Sequence, residues 1–158
     1  MVRRIVAFVI AVAVMVVLGS LAPSFFVQEA WSAAPGQAEG AGPVALPIAE
    51  RASWTLHDLI GMETGMASNA PPYGLLTGIG LLIAFLAAGL VARFTGLRPI
   101  VFAVAGAFAI FVLFTLLKQT VGTVGVFGAR GTMGLGAQMA AGLIAGLVFA
   151  MLTRPRDA

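Results

Sequence analysis

The chain has a single histidine, and the residues around it are those best suited to chemistry. His57 would share a helical face with Ser53, and carboxylates lie nearby at Glu50, Asp58 and Glu63. A serine, a histidine and an acid can form a hydrolytic set. No Gly-x-Ser-x-Gly elbow or other catalytic signature accompanies them, so we expect no catalytic residue and no enzyme activity. A membrane-embedded enzyme acting on lipid, with His57 as acid or base, remains an alternative.

Metal and cofactor sites are disfavoured by a shortage of ligands. Zinc usually takes three or four His, Cys or carboxylate ligands, and a haem held by paired histidines needs a second histidine. The chain has no cysteine, so disulfides, iron–sulfur ligation and thiol redox chemistry are also excluded. We predict no metal and no cofactor. Trp54, His57 and Asp58 are interpreted instead as a periplasmic face that contacts a partner.

Two cations flank a glycine-rich turn near the end of the chain. Lys118 and Arg130 are interpreted as ordinary interfacial anchors, and contact with a lipid phosphate or an acidic partner surface is the alternative. The run Gly122 to Gly136 is not a phosphate loop, because the only lysine lies outside it. We interpret it as a flexible outside turn, with a re-entrant loop as the alternative.

Four apolar stretches without a charge must position these residues. Each has roughly the 17 to 25 residues that a helix needs to cross a bilayer. Apolar residues make up 60% of the chain, and its mean hydropathy is +1.04. We therefore predict an all-α integral membrane protein, forming a single membrane domain over residues 1–158. Its four transmembrane helices are expected at about 5–21, 74–92, 100–117 and 134–152.

The segment 22–73 differs in composition from the rest. Prolines and glycines predict a linker outside the membrane, and helical spacing then resumes in an amphipathic helix from about Pro47 to Met62. We expect this helix on the outer membrane surface or across the mouth of the bundle.

The arginines predict the orientation. Six of the nine basic residues fall on one side of the predicted topology: Arg3, Arg4, Arg93, Arg98, Arg154 and Arg156. The positive-inside rule places both termini in the cytoplasm and the linker in the periplasm. The first span is interpreted as an uncleaved anchor rather than a signal peptide, since its apolar run is long. The net charge of +3 is spread over several helix ends, so nucleic-acid binding is not expected.

Small residues four apart predict close helix contacts within the membrane. The pairs are Gly74 and Gly78, Ala103 and Ala107, and Gly142 and Gly146. Each is read as a contact within the bundle or as an interface with a partner. Gln138, the one strongly polar residue of the spans, is predicted to bond between helices, with a pore or ligand role as the alternative. No span holds a carboxylate, which disfavours ion-coupled transport.

Several segments resemble small four-helix inner-membrane proteins of proteobacteria, to which no activity is assigned. They are TLHDLIGM (Thr55 to Met62), LKQTVG (Leu117 to Gly122), GARG (Gly128 to Gly131) and GLIAGLVFAMLTR (Gly142 to Arg154). The resemblance implies a bacterial cytoplasmic membrane and a four-helix topology. It transfers no site residue.

The function that these features favour is a non-catalytic accessory or assembly subunit of a larger bacterial inner-membrane complex. A homo-oligomeric channel or facilitator for a small or anionic solute is the alternative, with Gln138, Lys118 and Arg130 near the path. The expected partners are membrane lipids and either another membrane protein or further copies of this chain.

Overall fold

The computed structural model describes residues 2–32, 48–64, 72–121 and 132–154, and leaves aside the side chains of residues 22–32, 51, 54, 58, 62, 121 and 132. Within these ranges the chain forms five helices: α1 (Val2–Ser32), α2 (Ile48–Thr64), α3 (Tyr73–Thr95), α4 (Arg98–Val121) and α5 (Thr132–Leu152). Four of them, α1, α3, α4 and α5, contain stretches long and apolar enough to cross a membrane. The predicted all-helical architecture with four candidate spans is confirmed, and it indicates a multi-pass membrane protein.

The turn between α3 and α4 follows from two residue types. Gly96 ends α3 in the left-handed region, with φ of 69°, and its N–H bonds to the carbonyl of Ala92 at 3.3 Å. Glycine adopts this conformation without the steric cost that a Cβ would bring. Pro99 lies in the first turn of α4, where its missing N–H has no helical partner to lose. The short turn therefore makes α3 and α4 neighbours.

The four long helices pack as a ring. α5 lies against α1 and α4, while α3 lies against α4 and α1. Three phenylalanines from three helices meet inside: Phe85 stacks on Phe149 with ring centroids 4.7 Å apart, and Phe102 contacts both. α2 packs mainly on α1 and touches α3. These rings form an aromatic layer that joins α3, α4 and α5.

The first helix is longer than the sequence predicts. We expect the first span to end near Leu21 and a linker to follow, whereas α1 continues as one helix to Ser32. Pro23 lies inside it, and a proline inside a helix removes one backbone hydrogen bond and crowds the carbonyl four residues earlier, which can kink a helix without ending it. Helix-compatible residues on its C-terminal side continue the helix. The fifth helix, predicted over Pro47 to Met62, is present as α2, which runs from Ile48 to Thr64. Residues 122–131 of the glycine-rich run lie outside the described residues, and residues 132–136, predicted as part of the turn, are the first residues of α5.

Candidate functional site

A buried amide joins three helices at one level of the bundle. Gln138 of α5 is 0% exposed, and its Nε2 donates to the backbone carbonyl of Gly19 on α1 at 2.6 Å. Its Oε1 accepts from the hydroxyl of Tyr73 on α3, also at 2.6 Å. We call Gly19, Tyr73 and Gln138 the Gln138 cluster. Both ends of the amide are thus bonded within the bundle.

The Gly19 carbonyl is available for this bond because of a proline one turn later. In a regular helix this carbonyl would accept the N–H of residue 23, but residue 23 is proline and has no N–H. In hydrocarbon an unpaired carbonyl costs several kcal/mol, and side chains of neighbouring helices commonly satisfy such groups. Gln138 supplies the missing donor. The pairing of Pro23 with Gln138 explains why a helix-interior proline is tolerated here.

Glycine at position 19 is needed for the same contact. A Cβ built there would overlap the Tyr73 hydroxyl and lie 2.8 Å from Oε1 of Gln138. The neighbouring buried hydroxyls are used locally, with Thr77 Oγ1 donating to the Tyr73 carbonyl at 2.9 Å and Ser20 Oγ to the Val16 carbonyl at 2.7 Å. The buried polar side chains at this level therefore form hydrogen bonds within the bundle.

The backbones of α4 and α5 touch through three glycines, which we call the glycine contact: Gly106, Gly142 and Gly146. A Cβ on Gly106 would overlap the carbonyl of Gly142, and one on Gly146 would overlap the carbonyl of Phe102. Such close approach is the reason small residues line membrane helix interfaces. The structure therefore places the Gly142 and Gly146 pair inside the bundle.

The other predicted small pairs also lie at contacts between helices. Gly74 and Gly78 face α1, since a Cβ on each would meet Val16 at 3.1 Å and Val12 at 3.7 Å respectively. On α4, Ala103 lies beside Gly146, and Ala107 is only half-buried. Gly106, which the predicted spacing does not include, makes the close contact instead.

A carboxylate from α2 caps the start of α3. Oε1 of Glu63 accepts the N–H of Gly74 at 2.9 Å. The first N–H groups of a helix lack helical partners and carry partial positive charge, so a carboxylate there is stabilising. Glu63 is half-buried, and its second oxygen lies where a Cβ on Gly74 would come within 2.8 Å. This bond ties α2 to the bundle.

Replacing Glu63 with alanine is expected to destabilise the contact between α2 and the first turn of α3. The free energy of local opening should fall by about 1 kcal/mol, the usual value of a helix cap. Glu63→Gln keeps an acceptor and should lose less. Hydrogen exchange of the peptide containing Gly74 measures the effect, with faster exchange in the alanine variant. Glu50→Ala removes an exposed acid from the first turn of α2 and is the control. Equal exchange in the Glu63 and Glu50 variants would contradict the capping role.

The predicted partner face is only partly described. His57 is exposed on α2, and so are Leu56 and Ile60, at 59% and 58%. The side chains of Trp54 and Asp58 lie outside the described residues. Lys118 is exposed near the end of α4, and Arg130 lies outside the description. The interpretation of these two cations as interfacial anchors, with a lipid or anion contact as the alternative, stays a prediction.

Arginines from three segments meet at the opposite end of the bundle, which we call the arginine end. Arg3 donates to the carbonyls of Leu152 and Arg154, at 2.9 and 2.7 Å. Arg98 donates through Nη2 to Thr153 Oγ1 at 2.9 Å, and its guanidinium lies 5.3 Å from the ring centre of Phe102. The two Arg3 bonds reach carbonyls at and just beyond the end of α5, where the last carbonyls of a helix lack helical donors, whereas Arg98 bonds to a side-chain hydroxyl.

A cavity of about 570 Å³ opens beside this end, bounded by α1, α3 and α4 with a contribution from α5. Arg4, Arg93 and Arg98 lie in its wall, and its other surfaces are chiefly apolar and aromatic. The sequence predicts the arginines on one side, but it does not predict a shared cavity. No residue spacing carries that signal, because the three arginines belong to three helices.

The chain matches no family model, and no curated protein or solved structure is significantly similar to it.

Proposed function

We propose that this protein is a non-catalytic accessory or assembly subunit of a larger complex in a bacterial inner membrane. The observation that supports it is the Gln138 cluster. Gln138, the strongly polar side chain of the apolar spans, is fully buried and uses both ends of its amide in bonds to Tyr73 and Gly19. A residue engaged in this way holds the bundle together and is not free to bind a solute.

The orientation is part of the same proposal. The arginine end faces the cytoplasm, since Arg3, Arg98 and Arg154 meet there and basic residues favour that side. α2 then lies on the periplasmic side, held by Glu63 against the start of α3.

The partner contact is proposed on the exposed face of α2. Leu56, His57 and Ile60 share one side of this helix, and each is exposed. Two large apolar side chains beside a histidine suit a contact with a second protein, in which the apolar groups are buried and the imidazole bonds at the rim. The predicted face of Trp54, His57 and Asp58 lies on the same short helix.

The test is a gentle detergent extraction of the full chain from its native membrane, followed by particle mass and identification of co-migrating chains. We expect one partner in fixed stoichiometry, reduced at least about tenfold by the double substitution Leu56→Ser and Ile60→Ser, as for loss of an interface anchor. Ile48→Ser, exposed on the first turn of α2, is the matched control.

Two outcomes would contradict the proposal. Particles containing only copies of this chain would favour the homo-oligomeric channel, and solute flux in liposomes with and without Lys118→Gln would then be measured. A partner retained equally by the double variant and the control would remove the α2 face from the interface.

A further inference from the structure

We propose that the cavity at the arginine end binds the phosphate headgroup and upper acyl chain of an anionic phospholipid of the adjacent leaflet. This binding site is separate from the proposed partner contact on α2. It is also distinct from Lys118 and Arg130, since its arginines come from α1, α3 and the start of α4.

The positive charge of the cavity wall favours an anionic ligand. Three guanidinium groups line the cavity, from Arg4, Arg93 and Arg98, and none of the described residues that line it carries a carboxylate. Arg4 and Arg98 line the same cavity, so their like charges repel each other. Guanidinium groups bind phosphate through paired hydrogen bonds, so one phosphate can relieve this repulsion and engage several donors.

One donor in particular lacks a partner. Nε of Arg98 is buried and makes no hydrogen bond within the described residues, although Nη2 of the same side chain bonds to Thr153. A buried donor without an acceptor costs about 1–3 kcal/mol, and more when the group is charged. A phosphate oxygen would supply the hydrogen-bond acceptor that Nε of Arg98 lacks among the described residues.

The rest of the wall favours a lipid over a free anion. Phe8, Phe85 and Phe149 lie at the inner side of the cavity, and Leu82, Leu86 and Leu90 of α3 extend it along the apolar span. Inorganic phosphate would leave these surfaces unused. An acyl chain continues from the headgroup along them, and basic pockets between membrane helices on the cytoplasmic side commonly bind anionic lipids.

The experiment measures lipid retention by native mass spectrometry of the full-length protein in detergent. Phosphatidylglycerol is added at equal concentration to phosphatidylcholine of the same chain length. We expect phosphatidylglycerol to be retained roughly thirtyfold more strongly or better, consistent with two or three arginines near one anionic headgroup. Equal retention of the two lipids would overturn the proposal.

Variants locate the site. Arg4→Gln with Arg93→Gln should lower phosphatidylglycerol retention about tenfold, and both residues are exposed, so the fold should tolerate the change. Arg154→Gln removes a charge from the same end outside the cavity wall, and should change retention less than twofold. Arg98 is left intact because its bond to Thr153 supports the bundle. If Arg154→Gln lowered phosphatidylglycerol retention as much as the double variant does, the effect would come from overall positive charge, and the proposed site would be wrong.

A second arm separates lipid from free anion. Leu86→Trp places a larger side chain in the apolar wall and should weaken the binding of phosphatidylglycerol. Any rise in the unfolding temperature caused by inorganic phosphate should stay unchanged. If millimolar phosphate raises the unfolding temperature as much as phosphatidylglycerol does, and Leu86→Trp leaves lipid retention intact, the cavity is a free-anion site and the lipid proposal is wrong.

Discussion

Replacing Gly142 with leucine is expected to lower the free energy of unfolding by about 3 kcal/mol or more, the upper range for overpacking. A Cβ at this position would lie 2.7 Å from Ile110 and 3.0 Å from the carbonyl carbon of Gly106, and a leucine adds three further carbons. A backbone group cannot rotate away as a side chain can, so α4 and α5 must separate. Reversible unfolding in mixed micelles, followed by circular dichroism, measures the loss.

The same helix supplies the control. Gly136 of α5 is exposed and has no neighbouring atom within 4 Å of a built Cβ. Gly136→Leu carries the same change of residue and should alter the free energy of unfolding by no more than about 0.5 kcal/mol. If the two leucine variants unfold alike, the close backbone contact between α4 and α5 is not a feature of the folded protein.

The second large effect is expected at the Gln138 cluster. Gln138→Leu removes two hydrogen bonds and leaves the Gly19 carbonyl and Tyr73 hydroxyl without the partner they have now. Polar contacts between membrane helices average about 0.6 kcal/mol and reach about 1.7, so we expect a loss of about 2 kcal/mol for the pair. Gln119→Leu, an exposed site on α4, is the control for the residue change.

A double-mutant cycle tests why this amide is needed. Pro23→Ala restores a backbone N–H at the position that normally bonds to the carbonyl of Gly19. In that background Gln138→Leu should cost about 1 kcal/mol less, roughly the value of one hydrogen bond. The coupling should therefore be clearly nonzero. Strictly additive effects of the two substitutions would show that Gln138 does not compensate for the proline.

Hydropathy alone was enough to predict the four long apolar helices. A charge-free stretch of about 20 apolar residues has few stable alternatives to a membrane helix, because every backbone polar group must be bonded within the segment. Gly96 and Pro99 likewise fix the tight turn between α3 and α4 from local chain properties. The end of α1 was not predicted. A proline such as Pro23 is compatible with the end of a helix, and also with a continuing helix in which another side chain bonds to the freed carbonyl.

Which face of each span points inward was decided only by the tertiary structure. In a soluble protein the apolar face identifies the interior, but in a bilayer both the core and the lipid-facing side are apolar. Spacing therefore suggested Ala103 and Ala107 on α4; Ala103 does lie against Gly146 of α5, but the second close contact is made by Gly106, which the spacing did not include.

Long-range pairings had no sequence signal for the same reason. The bond from Gln138 to Gly19 joins residues 119 positions apart, and Arg3 reaches the carbonyl of Arg154 across 151 positions. Local composition predicted four helices apolar enough to cross a membrane, with six of the nine basic residues on one side. Only the packed bundle decided that a proline on α1 is matched by a glutamine on α5, and that arginines from α1, α3 and α4 line one cavity, because these contacts depend on which helices become neighbours.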